Sequence, residues 1–178
     1  MAIGGHVPDS RHDFTAAYFG GEDYKVHRVS LFTENEVPGW PKTHSNSAQR
    51  VTTPALLEIN GDTSPEVFSA AGNSSAGFEV RAHDGTTGNL LWVRQFSSGY
   101  AANYVAIGQV LPDMDPELIV VHRNGTTSGS RLSILDALTG AVDGTVDLPG
   151  TISYGSAPAL ADLNGDGLDD LVLPLRAS

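Results

Sequence analysis

An internal repeat constrains this 178-residue chain more tightly than any other feature of its sequence. Aligned against itself, the sequence recurs with a period of about 52 residues. Trp40 and Trp92 stand one period apart, as do Asp84-x-x-Thr87-Gly88 and Asp136-x-x-Thr139-Gly140. Pro54-Ala55-Leu56 and Pro158-Ala159-Leu160 are two periods apart. Glu66, Glu117 and Asp170 follow at nearly the same interval, each just before an apolar run.

Each unit reads as four short strands. In one unit they cover 54–59, 66–71, 77–83 and 89–96; in the next, 103–110, 117–122, 130–136 and 141–148. Gly, Asn, Asp and Ser separate them, and Asp84-Gly85 and Thr87-Gly88 mark tight turns. Phe78, Val80 and Ala82 alternate with Glu79, Arg81 and His83, the pattern of a strand with one buried and one wet face. No segment carries a sustained helical period, and 20 Gly and 10 Pro suit a chain rich in turns. The fold class is therefore all-β, built of four-stranded antiparallel units. Such units at this period fit the blades of a β-propeller, which pack sheet on sheet to cover one another. A stack of β-sandwich domains suits the chain less well, because about 50 residues cannot bury a sandwich core alone.

The expected organisation is an N-terminal tail (1–15), the later strands of a partial blade (16–50), full blades at 51–98 and 99–150, and the first two strands of another (151–178). About 3.4 blades cannot close a ring of four to eight. This suggests either the remainder of a larger propeller chain or a homo-oligomer that completes the ring.

With 21 acidic and 10 basic side chains the formal charge is −11, which argues against nucleic acid or an anionic membrane as partner. Cysteine is absent, excluding disulfides and thiolate chemistry. The longest wholly aliphatic stretch, 118–121, is too short for membrane insertion. Residues 1–5 have no leader-like character, so either the protein is not exported or its leader lies outside this sequence.

The clearest chemistry lies in Asp162-Leu163-Asn164-Gly165-Asp166-Gly167-Leu168-Asp169-Asp170. Asp162, Asn164 and Asp166 offer oxygens at alternate positions, the Leu168 carbonyl can follow, and Asp170 closes the loop. That hard oxygen set suits Ca²⁺. An EF-hand needs an acidic twelfth residue, here Leu173, and the apolar flanks read as strands. An earlier copy offers Glu58, Asn60, Asp62, Ser64 and Glu66, with Thr63 in place of the second glycine. The middle copy, 109–117, has Leu111 where Asn belongs and reads as a turn without an ion.

The segment 159–167 followed by Asp170-Leu171-Val172-Leu173 resembles the FG-GAP or VCBS repeat of integrin-like propellers, and Pro38-Gly39-Trp40-Pro41 resembles a blade-end motif of bacterial secreted members. The resemblance implies calcium between the first two strands of a blade and an extracellular or cell-surface setting. Separately, Ala82, Asp84, Thr87, Gly88 and Trp92 match the tryptophan-docking motif of quinoprotein dehydrogenases. In related propellers this motif is a structural tie between blades and occurs without quinone; the next copy has Gly144 where Trp would stand.

No nucleophile elbow, His-Glu-x-x-His or phosphate-cradling loop is present. His83 and His122 read as surface residues at strand ends. Trp40, Tyr100, Tyr104 and Tyr154 are the aromatic candidates for ligand contact, with buried packing the simpler role for each. The functional expectation is a calcium-binding, non-enzymatic propeller module of a secreted or surface protein, with a protein or glycan partner. The alternatives are a self-assembling structural subunit and the propeller portion of a larger secreted enzyme, such as a polysaccharide lyase or peptidase.

Overall fold

The computed structural model describes residues 3–6, 13–16, 24–30, 33–44, 51–62, 64–73, 77–97, 102–113, 115–123, 129–152 and 157–176, with backbone alone for 3–6, 13–16, 73, 102 and 103. All regular elements among them are strands. β1 (Ile3–His6) pairs with β2 (Asp13–Ala16), where the sequence suggested a tail, and β3 (Lys25–Val26) pairs with β4 (Lys42–Thr43).

Two four-stranded antiparallel sheets follow. The first runs β5 (Ala55–Leu57), β6 (Glu66–Asn73), β7 (Gly77–His83), β8 (Leu90–Phe96) in spatial order. The second repeats that order with β9 (Ala102–Gly108), β10 (Glu117–Arg123), β11 (Ser130–Asp136) and β12 (Val142–Asp147). The C-terminal segment forms two short pairs, β13 (Thr151–Ile152) with β16 (Leu175–Arg176) and β14 (Ala159–Ala161) with β15 (Asp170–Val172). Among the described residues no helix is long and apolar enough to cross a membrane.

The core lies between sheets, not within one. Phe68, Ala70, Phe78, Val80 and Ala82 of the first sheet meet Leu118, Val120, Leu135 and Ala137 of the second. Alternation along each strand then sends the intervening residues the other way. Val67 and Ala71 pack on Val26, Trp40 and Val51, while Ile119 and Val121 pack on Ile152, Leu160 and Leu171. Residues 118–121 of β10 form an unbroken apolar run because both faces of the strand are covered there.

The same logic corrects the reading of β7. Glu79 and His83 do not face water: both are buried, because Trp40 and His44 lie against that face. His44 Nδ1 lies 3.0 Å from Glu79 Oε1 and its Nε2 lies 2.9 Å from Ser69 Oγ. Gln95 Nε2 donates to Glu79 Oε2 at 2.8 Å, and Arg81 Nε lies 2.9 Å from Glu79 Oε1, so the buried carboxylate is compensated on both oxygens.

A second contact joins the sheets at their turns. The Asp136 carboxylate accepts from Thr139 N at 2.7 Å and from Thr139 Oγ1 at 3.0 Å, shaping the turn that ends at Gly140. Trp92 Nε1, from β8, donates to Ala137 O at 2.9 Å, and Arg94 Nε, on the same strand face, donates to Gly140 O at 2.7 Å. Gly140 has φ +70°, and a Cβ there would come within 2.6 Å of the Trp92 indole, so only glycine lets the ring approach the turn this closely.

The repeat equates Trp40 with Trp92, yet Trp40 does not form this tie. It is buried against Val67 and Ala71, with its ring 6.0 Å from His83. At the homologous turn an arginine substitutes: the Arg28 guanidinium donates to Gly85 O and, at 3.5 Å, to Thr86 O. Replacing Trp92 with Phe keeps most of the packing but strands Ala137 O without its donor. We expect a loss of about 1–2 kcal/mol in unfolding free energy, read from urea denaturation.

Candidate metal centre

Three hairpin loops connect the first and second strands of successive units, and their local chemistry is shared. In the third loop, the Asp162 carboxylate accepts from Gly165 N at 2.6 Å and Gly167 N at 3.0 Å. Asn164 Oδ1 accepts from Asp166 N at 2.8 Å, Asp166 Oδ1 from Leu168 N at 2.9 Å, and Asp170 Oδ2 from Leu163 N at 3.1 Å. Asp162, Asn164 and Asp166 thus each bond an amide two or more residues ahead, and Asp170 reaches back to the start, which winds the loop around its own oxygens. Gly165 and Gly167 sit at φ +80° and +89°, the left-handed region where a side chain would be strained. The Gly167 and Gly165 amides hold the Asp162 carboxyl below its usual range, so it stays ionised.

The first loop follows the same path from different residues. Glu58 Oε1 accepts from Asn60 N and Gly61 N at 2.9 and 2.6 Å, Asn60 Oδ1 from Asp62 N, and Asp62 Oδ1 from Ser64 N, both at 2.8 Å. Glu66 Oε2 accepts from Ile59 N at 2.8 Å, and Asn60 Nδ2 donates to Glu66 Oε1 at 2.6 Å. Here three carboxylates converge: oxygens of Glu58, Asp62 and Glu66 all lie within 4.8 Å of one another. Among the described residues this is the acidic cluster close enough to share one ion, so the geometry favours the loop with the less complete motif. Burial, together with the charges of Glu58 and Asp62, pushes the Glu66 carboxyl up. A cation at the cluster would reverse that repulsion. The donor set of carboxylates and an amide oxygen fits a hard divalent ion such as Ca²⁺.

The middle loop shows what replaces an ion. Gln109 stands at the first position, and its Nε2 donates to the carbonyls of Leu111 at 2.7 Å, Asp113 at 2.9 Å and Asp115 at 3.2 Å. The two partly positive amide hydrogens, one of them shared, gather these three backbone oxygens of the loop. Glu117 Oε2 still accepts from Val110 N and Leu111 N at 2.7 and 3.1 Å, in the manner of Glu66 and Asp170. Gln109→Ala should cost about 1–3 kcal/mol by freeing three carbonyls at once. Because the amide does the gathering, that loss should be the same in calcium and in chelator, as measured by urea unfolding in each.

Asp169, outside the expected ligand set, joins neighbouring loops: its Oδ2 accepts from Gln109 N at 3.0 Å and its own amide donates to Gln109 O at 2.6 Å.

The histidine expectations need correction. His83 and His122 are not surface residues but are 2% and 1% exposed, since both faces of their strands are covered. His122 Nε2 lies 2.9 Å from Ser133 Oγ, and the ring tilts against Phe78 and Phe96. Trp40 is buried, Tyr104 is half-buried beside Ile119 and Val121, and Tyr100 and Tyr154 fall outside the described residues. The His44 bridge between Glu79 and Ser69 copies the order of a nucleophile, base and acid, but all three are buried and Ser69 Oγ is closed to substrate. No motif announces this trio, because its members come from three separate segments.

Burial, with the positive charges of His44 and Arg81 nearby, lowers the His83 pKa from 6.5 to about 4. The unfolded chain therefore takes up a proton that the fold refuses, and stability should fall as pH drops from about 6.5 toward about 4. Burial lowers His122 as well. His83→Gln should flatten part of this acid limb, leaving the share due to His122, as read from unfolding free energies across that window.

No protein-family model matches the chain, and a search of curated proteins finds no match. Among solved structures, the chain is similar to a europium-containing methanol dehydrogenase, with TM-score 0.53 and 17% identity over 84% of this chain. The match takes in 26% of the dehydrogenase, so this chain spans about a quarter of that protein's length. At that identity the likeness concerns the fold: successive four-stranded antiparallel sheets in an all-β arrangement.

Proposed function

We propose that this chain is a calcium-binding, non-enzymatic β-propeller module of a secreted or cell-surface protein, with a protein or glycan as its partner. The observation that carries the reading is the convergence of the Glu58, Asp62 and Glu66 carboxylates on a loop whose backbone path repeats at Asp162, Asn164, Asp166, Leu168 and Asp170. The resemblance of residues 159–173 to FG-GAP or VCBS repeats supports Ca²⁺ as the ion and an extracellular setting. Packing in series, each sheet covering the next, supports the propeller.

The ion's role in this reading is structural. It neutralises carboxylates that repel one another and locks the hairpin that presents the loop face. Extracellular calcium modules bind with Kd of about 10⁻⁴–10⁻³ M, so calcium at about 2 mM would add about 0.6–1.8 kcal/mol per site. The melting temperature should rise by several degrees in CaCl₂ over excess EDTA, and less in MgCl₂. The double variant Glu66→Gln with Asp162→Asn should abolish the rise. Coincident melts in all three conditions would remove the calcium reading.

A second reading, the propeller portion of a larger enzyme, is favoured by one observation: the chain matches about a quarter of a dehydrogenase. It predicts alcohol oxidation with an added quinone cofactor, which a dye-linked assay measures.

A further inference from the structure

Beyond the loops, the contact between the two sheets opens into a groove of about 280 Å³. On one wall β8 contributes Arg94 and Phe96; on the other, the second sheet contributes His122, Arg131, Ser133 and Thr145. Arg94 and Phe96 lie two and four residues after Trp92, on the strand face that turns toward the next sheet. The groove continues from the tryptophan tie along β8, past Arg94 to Phe96, whose ring lies 5.6 Å from that of His122 in the second sheet.

The charge in this groove is unusual for the molecule. The chain has 21 acidic and 10 basic side chains, yet no acidic residue is among those lining the groove. Arg131 has its counterion in Asp147, with Nε and Oδ1 2.7 Å apart. Arg94 is different: its Nε donates to the neutral Gly140 carbonyl, and among the described residues no carboxylate pairs with it. A half-buried guanidinium held by a neutral acceptor, with its terminal nitrogens remaining for other acceptors, is pre-organised to take a planar oxyanion in bidentate fashion. Thr145, exposed on β12 opposite Ser133, adds a hydroxyl, Ser133 Oγ is engaged with His122 Nε2 at 2.9 Å, and Phe96 adds an apolar edge.

We propose that this groove is a binding site for a small acidic sugar, with Arg94 clamping its oxyanion. The volume lies near the lower end for small-molecule sites, suited to one sugar ring and not to a large cofactor. The proposal specifies the ligand half of the function proposed above and is independent of its calcium half.

The test is a titration of the whole chain with D-glucuronate, D-glucose and inorganic sulfate, following amide chemical shifts, in calcium and again in EDTA. Glucuronate should shift residues 94–97, 131–133 and 142–145 saturably, and neutral glucose should not. Arg94→Gln should weaken binding by at least about tenfold, the loss of one bidentate charged pair. Because Arg94 also braces the Gly140 turn, Thr145→Asp serves as a second variant: it puts a carboxylate on an exposed strand position and should abolish binding without touching the tie. Sulfate binding as tightly as glucuronate would establish an oxyanion site indifferent to the ring, and tighter glucuronate would establish the sugar. No shifts at these residues with either anion, or shifts that survive both variants, would overturn the proposal. Melting curves taken alongside report on calcium separately, so binding that persists in EDTA while the melts coincide would retain the groove and remove the calcium site.

Discussion

The structure depends on one constraint: a four-stranded sheet of about 50 residues has two apolar faces and no means of covering either by itself. Leu118 and Val120 need Phe68, Ala70 and Phe78, just as Ile119 and Val121 need the C-terminal strands. Burial is thus a property of neighbours. The Trp92 indole on Gly140 fixes how one sheet meets the next, and the groove lined by Arg94 lies beside that contact.

The three hairpin loops solve one electrostatic problem in two ways. A loop that turns several oxygens inward needs positive charge among them. The first and third carry carboxylates that, on the proposed reading, a cation would neutralise. The middle loop gathers its backbone oxygens with the Gln109 amide instead, so one backbone path is held by different chemistry in neighbouring units. The carboxylate that closes each loop, Glu66, Glu117 or Asp170, keeps its amide partner in all three, which is why its spacing survives as a mark of the repeat.

Much of this was legible beforehand. The strands of both full units fall within a few residues of their expected bounds, because turn chemistry at Asp84-Gly85 and Asp136-x-x-Thr139-Gly140 is local. The resemblance of the Asp-Thr-Gly motif and its tryptophan to the docking motif pointed to a tie between units, and Trp92 makes it with the turn of the next unit. What misled was alternation. Glu79 and His83 alternate with apolar residues as a wet face would, yet they are buried, because a charged network from His44, Arg81 and Gln95 can substitute for water. Trp40 matched the spacing of Trp92 and still took another role, its place at the turn filled by Arg28.

The sequence by itself determined the all-β class, the period, the hairpin turns and the identity of the loop oxygens. Each of these depends on residues close together in the chain, where spacing is geometry. Tertiary structure decided which loop brings its carboxylates within reach of one ion, that Gln109 fills the middle loop, that His83 and His122 lie inside, and that Arg94 faces a groove with no carboxylate partner among the described residues. Those outcomes depend on side chains that meet only when separate segments pack, and no spacing along the chain encodes the distance between them.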